Sequence, residues 1–94
     1  MRLRWSGRAI ADLRHALVYI QKENPFAVRS VIERVEKATS MLLTFPNSGR
    51  EGRYIDTREL VIVGTPFIVS YRVQKEAIEI LAVIHHARVW PEKL

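Results

Sequence analysis

The sequence predicts an α+β domain in which two helices cover one face of a small, mainly antiparallel sheet. Three observations predict it. Residues 2–5 alternate polar and apolar side chains, as a half-buried strand does. Residues 6–43 carry two apolar stripes at helical spacing, separated by Asn24-Pro25. Residues 58–85 hold three β-rich runs divided by two turns, Gly64-Thr65-Pro66 and Gln74-Lys75-Glu76. The order is strand, helix, helix, three-stranded meander. An apolar helix stripe and an apolar sheet face each need cover, so two layers follow.

Each element has a local cause. After Arg2-Leu3-Arg4-Trp5, Ser6 stands at an N-cap position, where its hydroxyl accepts from a free first-turn amide. Ile10, Leu13, Leu17 and Ile20 form the buried stripe of the first helix, with Arg8 and Asp12 one turn apart on another side. Asn24-Pro25 ends that helix and opens the next: the residue before proline avoids the helical region, and proline fits the first helical position. Val28, Val31, Ile32, Val35, Ala38, Leu42 and Leu43 face the core from the second helix, Glu33 and Lys37 pair on its wet side, and Pro46 stops it. So short a link predicts an antiparallel helical hairpin.

Residues 46–57 read as a long loop, of the kind that in a small domain is functional or mobile. Strands follow at 58–63, 67–73 and 77–85. In the middle one Phe67, Val69, Tyr71 and Val73 share a face, and Ser70 and Arg72 take the other. The last strand, Ala77 to His85, is nearly all apolar and reads as central in the sheet, buried on both faces.

Composition bounds the function. The chain has 94 residues, which predicts one domain over 1–94 with no separate substrate lobe. The absence of cysteine excludes disulfides, thiolate metal clusters and a cysteine nucleophile. The N-terminal stretch lacks the apolar core of a signal peptide, and nothing approaches the roughly 20 apolar residues of a membrane span, so a cytoplasmic protein is expected. There are 15 Lys+Arg against 10 Asp+Glu, a net charge of +5. Lys22, Lys37, Lys75 and Lys93 are the only lysines, so arginine supplies the rest. Arginine grips phosphate and carboxylate through a planar fork of donors. The charge fits either a solvated surface or an acidic partner, nucleic acid or protein.

The usual enzyme motifs are missing: there is no phosphate-binding glycine loop, no nucleophile elbow and no HExxH. His85 and His86 are adjacent, and neighbours on a strand point to opposite faces, so the pair is not expected to chelate one metal ion. Asp12 and Asp56 are the only aspartates, which argues against a two-metal nuclease centre. No cofactor is expected. What stands out is basic residues interleaved with aromatics: Arg50, Arg53, Tyr54 and Arg58 around the loop, Arg72 on the middle strand, and His85, His86, Arg88 and Trp90 beyond the last. That pattern suits gripping phosphates and stacking bases. A wet loop and a wet sheet face account for it equally.

These residues resemble a known family. Trp5, Ala9, Asp12-Leu13, Tyr19-Ile20 and Asn24-Pro25 are similar to the opening of the RelE/ParE superfamily of toxins. Phe45-Pro46, Gly49-Arg50, Gly52, Thr57-Arg58-Glu59-Leu60 and Tyr71-Arg72-Val73 continue the likeness. The most specific piece is Ile80-Leu81-Ala82-Val83-Ile84-His85-His86-Ala87-Arg88-Val89-Trp90-Pro91. The resemblance covers essentially the whole chain. It implies the toxin of a type II toxin–antitoxin (plasmid stabilisation) module, bound in a hetero-oligomer by a cognate ParD-like or RelB-like antitoxin.

Two activities are known in that superfamily. RelE-like members cleave messenger RNA in the ribosome; ParE-like members poison DNA gyrase. The RelE-like pattern places an arginine three residues before the middle-strand tyrosine, where this chain has Ile68, and the 46–58 region holds no lysine. The resemblance therefore leans to the ParE branch, with DNA gyrase as target and no hydrolytic chemistry of its own. Arg58, Arg72, His85 and Arg88 would carry catalysis if the chain were a ribonuclease acting on the ribosome and mRNA. A third reading is a non-toxic module that only binds its antitoxin. Arg50, Arg53, Tyr54, Arg58, Arg72, His85, His86, Arg88 and Trp90 are the expected target- or antitoxin-binding surface.

Overall fold

A computed structural model describes residues 1–94. The elements are β1 (Arg2–Trp5), α1 (Gly7–Glu23), a 3-10 turn (Pro25–Ala27), α2 (Val28–Met41), β2 (Arg50–Glu51), β3 (Arg58–Val61), β4 (Phe67–Val73) and β5 (Ala77–His85). The sheet has five strands in the order β1-β5-β4-β3-β2. The meander β3-β4-β5 is antiparallel, and β1 closes it by pairing parallel to β5, Arg2 opposite Ala77 through Trp5 opposite Ile80. The apolar run 77–85 is thus central up to Ile80, with strands on both sides. Beyond Ile80 its β1 side has no strand.

Ser6 caps α1 as its position implies: its hydroxyl accepts from the Ala9 amide at 3.0 Å and donates to the Leu81 carbonyl at 3.1 Å. The residue buried completely on α1 is Ala9, while Ile10 is substantially exposed; Leu13, Ala16, Leu17 and Ile20 complete the inner stripe. Three of the four expected positions hold, and Ala9 takes the place of Ile10 at the start of the stripe. Pro25 begins a single 3-10 turn instead of α2 itself, and α2 starts at Val28. It ends at Met41, five residues before Pro46. Glu33 pairs backwards with Arg29 at 3.2 Å and not with Lys37.

Val31 and Val35 from α2, and Leu42 just past its end, meet Ile62, Phe67, Val69, Tyr71, Ile78, Ile80 and Val83 of the sheet side in one core. Each fully buried aliphatic side chain there contributes about 1.5–3 kcal/mol. Phe67, Val69 and Tyr71 share the helix-facing side as the alternation predicts, but Val73 reaches solvent. A bulge between Ser70 and Tyr71 in the β4–β5 pairing sets Ser70 opposite Ala82 and Tyr71 opposite Ile80, leaving Leu81 as the extra residue. The bulge explains how Ile80 and Val83, three apart, both reach the core.

The second sheet face is not wet. Ile68, Ser70, Ala82 and Ile84 are buried, although their alternation turns them away from the helices. The chain beyond β5 is tied down at both ends of a path from β4 to the loop. The His86 amide donates to the Pro66 carbonyl beside the start of β4, and Trp90 and Pro91 then meet Tyr54 beyond β3. Residues 86–91 therefore cross from one side of the sheet to the other.

Candidate functional site

The 46–57 segment is shaped by interior bonds and a short strand. Arg50 and Glu51 pair with Glu59 and Arg58 as β2, so the segment is partly a hairpin arm. Tyr71, whose ring is fully buried, reaches it from β4: its hydroxyl donates to the Pro46 carbonyl at 2.8 Å and accepts from the Gly49 amide at 2.9 Å. Gly49 is required there, since a Cβ would lie 2.7 Å from the Tyr71 hydroxyl. Asp56 adopts φ 57°, a left-handed conformation that aspartate tolerates, and turns the chain back so that Thr57 bonds to the Tyr54 carbonyl.

Glu59 anchors this region. Its carboxylate is buried beneath the loop, takes Arg50 at 3.1 Å, and accepts from the Arg53 amide at 3.0 Å. A buried carboxylate needs such partners, because stripping its water unpaired costs several kcal/mol. Arg58 donates to the carbonyls of Gly49 at 2.8 Å and Asn47 at 3.3 Å. Arg72 reaches the Ile55 carbonyl at 3.4 Å and lies 3.9 Å from Glu79.

The expected surface residues fall into two groups. Arg53, Tyr54 and Trp90 make the first. Tyr54 and Trp90 stack with ring centres 6.4 Å apart, the Arg53 guanidinium sits 3.7 Å from the Trp90 ring centre, and the Tyr54 hydroxyl donates to the Pro91 carbonyl. Arg58 and Arg72 line one open cleft with Arg53 and Tyr54. The second group lies at the other end of β4. His85 pairs with Phe67 across the strands and packs against it edge-on at 5.7 Å. His86 belongs to this group too, and here the sequence-based geometry fails. The two imidazoles stack at 5.3 Å with 17° between planes, because β5 ends at His85 and His86 already belongs to the turn. The Ala87 amide donates to His85 Nδ1 at 3.1 Å and ties that turn down. Burial, then the neighbouring His86 and Arg88, hold the His85 pKa below its ordinary value. Arg88 lies over the ring of Tyr19 on α1 at 5.8 Å.

Sequence reasoning missed the contribution of α1. Arg8, Asp12, His15 and Tyr19 stand at successive turns and face the second group. The signal was available: a polar stripe at positions 8, 12, 15 and 19 runs parallel to the apolar one. Asp12 also accepts from the Val83 amide at 3.0 Å, on the side of β5 that β1 leaves without a strand.

Two helices on one face of this mixed five-stranded sheet, with an arginine-bearing loop and a tail that reaches it from the end of β5, define a RelE/ParE-type toxin fold. The comparisons with known proteins agree. Residues 3–90 match the family model of the ParE toxin of type II toxin–antitoxin systems, parDE, so the chain belongs to that family. It is 41% identical to Y4kP of Sinorhizobium fredii over 93 residues, covering 99% of this chain and 96% of that protein. It is 33% identical to Toxin RelE2 of Caulobacter vibrioides over 85 residues, 90% of this chain and 94% of that one. Among solved structures, the chromosomal ParDE toxin–antitoxin system from P. aeruginosa superposes with a TM-score of 0.81 at 23% identity, covering 90% of this chain and 95% of that chain. The chain is a toxin of the type II toxin–antitoxin class.

Proposed function

We propose that this toxin inhibits DNA gyrase, acting by binding and not by catalysis, and that a cognate ParD-like antitoxin neutralises it. The observation that carries this reading is that Arg58 and His85, two of the residues a ribonuclease would need, stand apart and that Arg58 is already engaged. Arg58 sits opposite Tyr71, and His85 sits opposite Phe67, four residues back along the same strand. At about 3.3 Å per residue their backbones stand roughly 13 Å apart along the strand. Arg58 is also committed to two loop carbonyls and Arg50 to Glu59, which suits a rigid binding surface better than a reacting one.

The name of the Caulobacter relative, Toxin RelE2, favours a second reading, a ribosome-dependent endoribonuclease. One induction experiment separates the two. Expression of the chain without antitoxin, scored together for DNA breaks and for message cleavage by primer extension, gives breaks and no codon-linked cuts on the gyrase reading. Purified toxin then inhibits supercoiling by gyrase. Codon-linked cuts with intact DNA overturn it in favour of the ribonuclease, and normal growth with neither effect leaves only the antitoxin-binding module.

A further inference from the structure

Residues 86–91 form a strap whose root depends on one ring nitrogen. At that root the Ala87 amide donates to His85 Nδ1 at 3.1 Å, the Arg88 amide donates to the His85 carbonyl at 3.0 Å, and the Arg88 side chain lies over Tyr19. At the far end Trp90 stacks on Tyr54, with the Arg53 guanidinium 3.7 Å from its ring centre. Val89, between the two, is 98% exposed, so the strap is held at its ends. An imidazole nitrogen accepts a hydrogen bond only while it carries no proton. With Nδ1 accepting, the neutral His85 ring has its proton on Nε2. Nδ1 then holds the one remaining lone pair in the ring plane. A second proton goes there, and it sets a donor against the Ala87 donor.

The groups around the ring decide what that proton does. His86 stacks on it at 5.3 Å, and Arg88 follows three residues after it in the turn. Phe67 of β4 meets it edge-on and carries no charge. From α1, Arg8, Asp12, His15 and Tyr19 line the cavity that His85 also borders. The one acid among them, Asp12, is engaged by the Val83 amide at 3.0 Å and by Arg8 at 3.8 Å. A protonated ring is thus met by basic neighbours and by no carboxylate that lacks a partner. We propose that His85 is a pH-operated catch on the strap: neutral, it holds the turn after β5 closed and Trp90 on the loop; protonated, it opens that turn and lets the strap lift. Burial first, then His86 and Arg88, hold its pKa below the ordinary value. The catch is therefore shut at neutral pH and opens only as the pH falls below about 6.5. The strap carries His86, Arg88 and Trp90 of the expected binding surface, so a partner that uses them is released in acid. The catch is independent of which target the toxin meets.

Proton–nitrogen correlation spectra of the labelled full chain, recorded as the pH is lowered from about 7.5 to about 5, test this. The Ala87 amide and the Trp90 indole N–H shift with one common midpoint, while the amides of buried Val69 and Ile78 stay in place. His85→Asn supplies a side-chain oxygen that accepts from the amide two residues on and does not titrate, so the indole keeps its neutral position throughout. His85→Ala has no acceptor, and its indole already stands at neutral pH where acid places that of the parent. His86→Gln keeps the response and raises its midpoint, because one basic neighbour is gone. An indole response that survives in His85→Asn overturns the catch, and so does a His85→Ala protein whose indole matches the parent at neutral pH. An Ala87 shift with none at Trp90 overturns it as well. A response lost in His86→Gln assigns the titration to His86 and overturns it. Core amides that move with the same midpoint do so too, since acid then unfolds the domain instead of lifting the strap.

Discussion

Tyr71→Phe isolates one hydroxyl that joins the loop to the core. The ring is fully buried and stays so in phenylalanine, which keeps the packing and removes only the oxygen. What is lost is the bond to the Pro46 carbonyl at 2.8 Å and the bond from the Gly49 amide at 2.9 Å. Leaving a buried polar group without a partner costs about 1–3 kcal/mol. The Gly49 site is buried and Pro46 borders solvent, so the amide bears most of the loss. A total of about 2 kcal/mol follows, and at roughly 4–8 °C per kcal/mol for a domain of this size the midpoint falls by about 8–16 °C. Urea unfolding followed by circular dichroism reads the change, with an unaltered m-value showing that the unfolded state is the same. Gly49→Ala crowds the same contact, its Cβ 2.7 Å from the Tyr71 hydroxyl, and combining the two changes gives less than the sum. A Tyr71→Phe protein within about 0.5 kcal/mol of the parent would refute the claim that this hydroxyl holds the loop.

Three further outcomes are expected. Ser70 Oγ is buried with no hydrogen-bond partner, so Ser70→Ala leaves stability unchanged or raises it by up to about 1 kcal/mol in the same urea assay. Gly64 holds φ at 80° with the Arg34 guanidinium against its open side, so Gly64→Ala costs about 1–2 kcal/mol from backbone strain alone, and displaces the Arg34 bond to the Val63 carbonyl. A lowered His85 pKa means the unfolded chain binds the proton first; stability is full above about pH 6.5 and declines as pH falls toward the folded value, a slope that His85→Gln reduces when denaturation is compared at pH 7.5 and 5.5.

The fold was legible where one residue type decides a local question. Ser6 and Asn24-Pro25 mark the first helix because capping and proline geometry act over a few residues, and strands 67–73 and 77–85 have the bounds their alternation predicts. The apolar stripe of α1 was read except at its start, where Ala9 is buried in place of Ile10, because a small side chain matters only once a sheet lies beneath it. The cover over Ile68 and Ser70 was also invisible. It depends on how chain distant in sequence is laid down, and a wet segment and a buried one share a composition. The aromatic and basic series was visible as a set, but its division into two groups follows from strand register, which side-chain chemistry does not encode. His85 and His86 show the limit most plainly: strand alternation ceases at the residue where the strand does.

The parallel pairing of β1 with β5 has a bearing on how the toxin is born. Arg2–Trp5 find their partners in Ala77–Ile80, and the bonds from Ser6 to Leu81 and from Val83 to Asp12 span 75 and 71 positions. Contacts so distant in the chain close last. A nascent chain therefore carries β1 without its partner strand until residues 77–80 have emerged from the ribosome. The surfaces that β5 and the residues after it build with α1 and the loop do not exist before that strand is made.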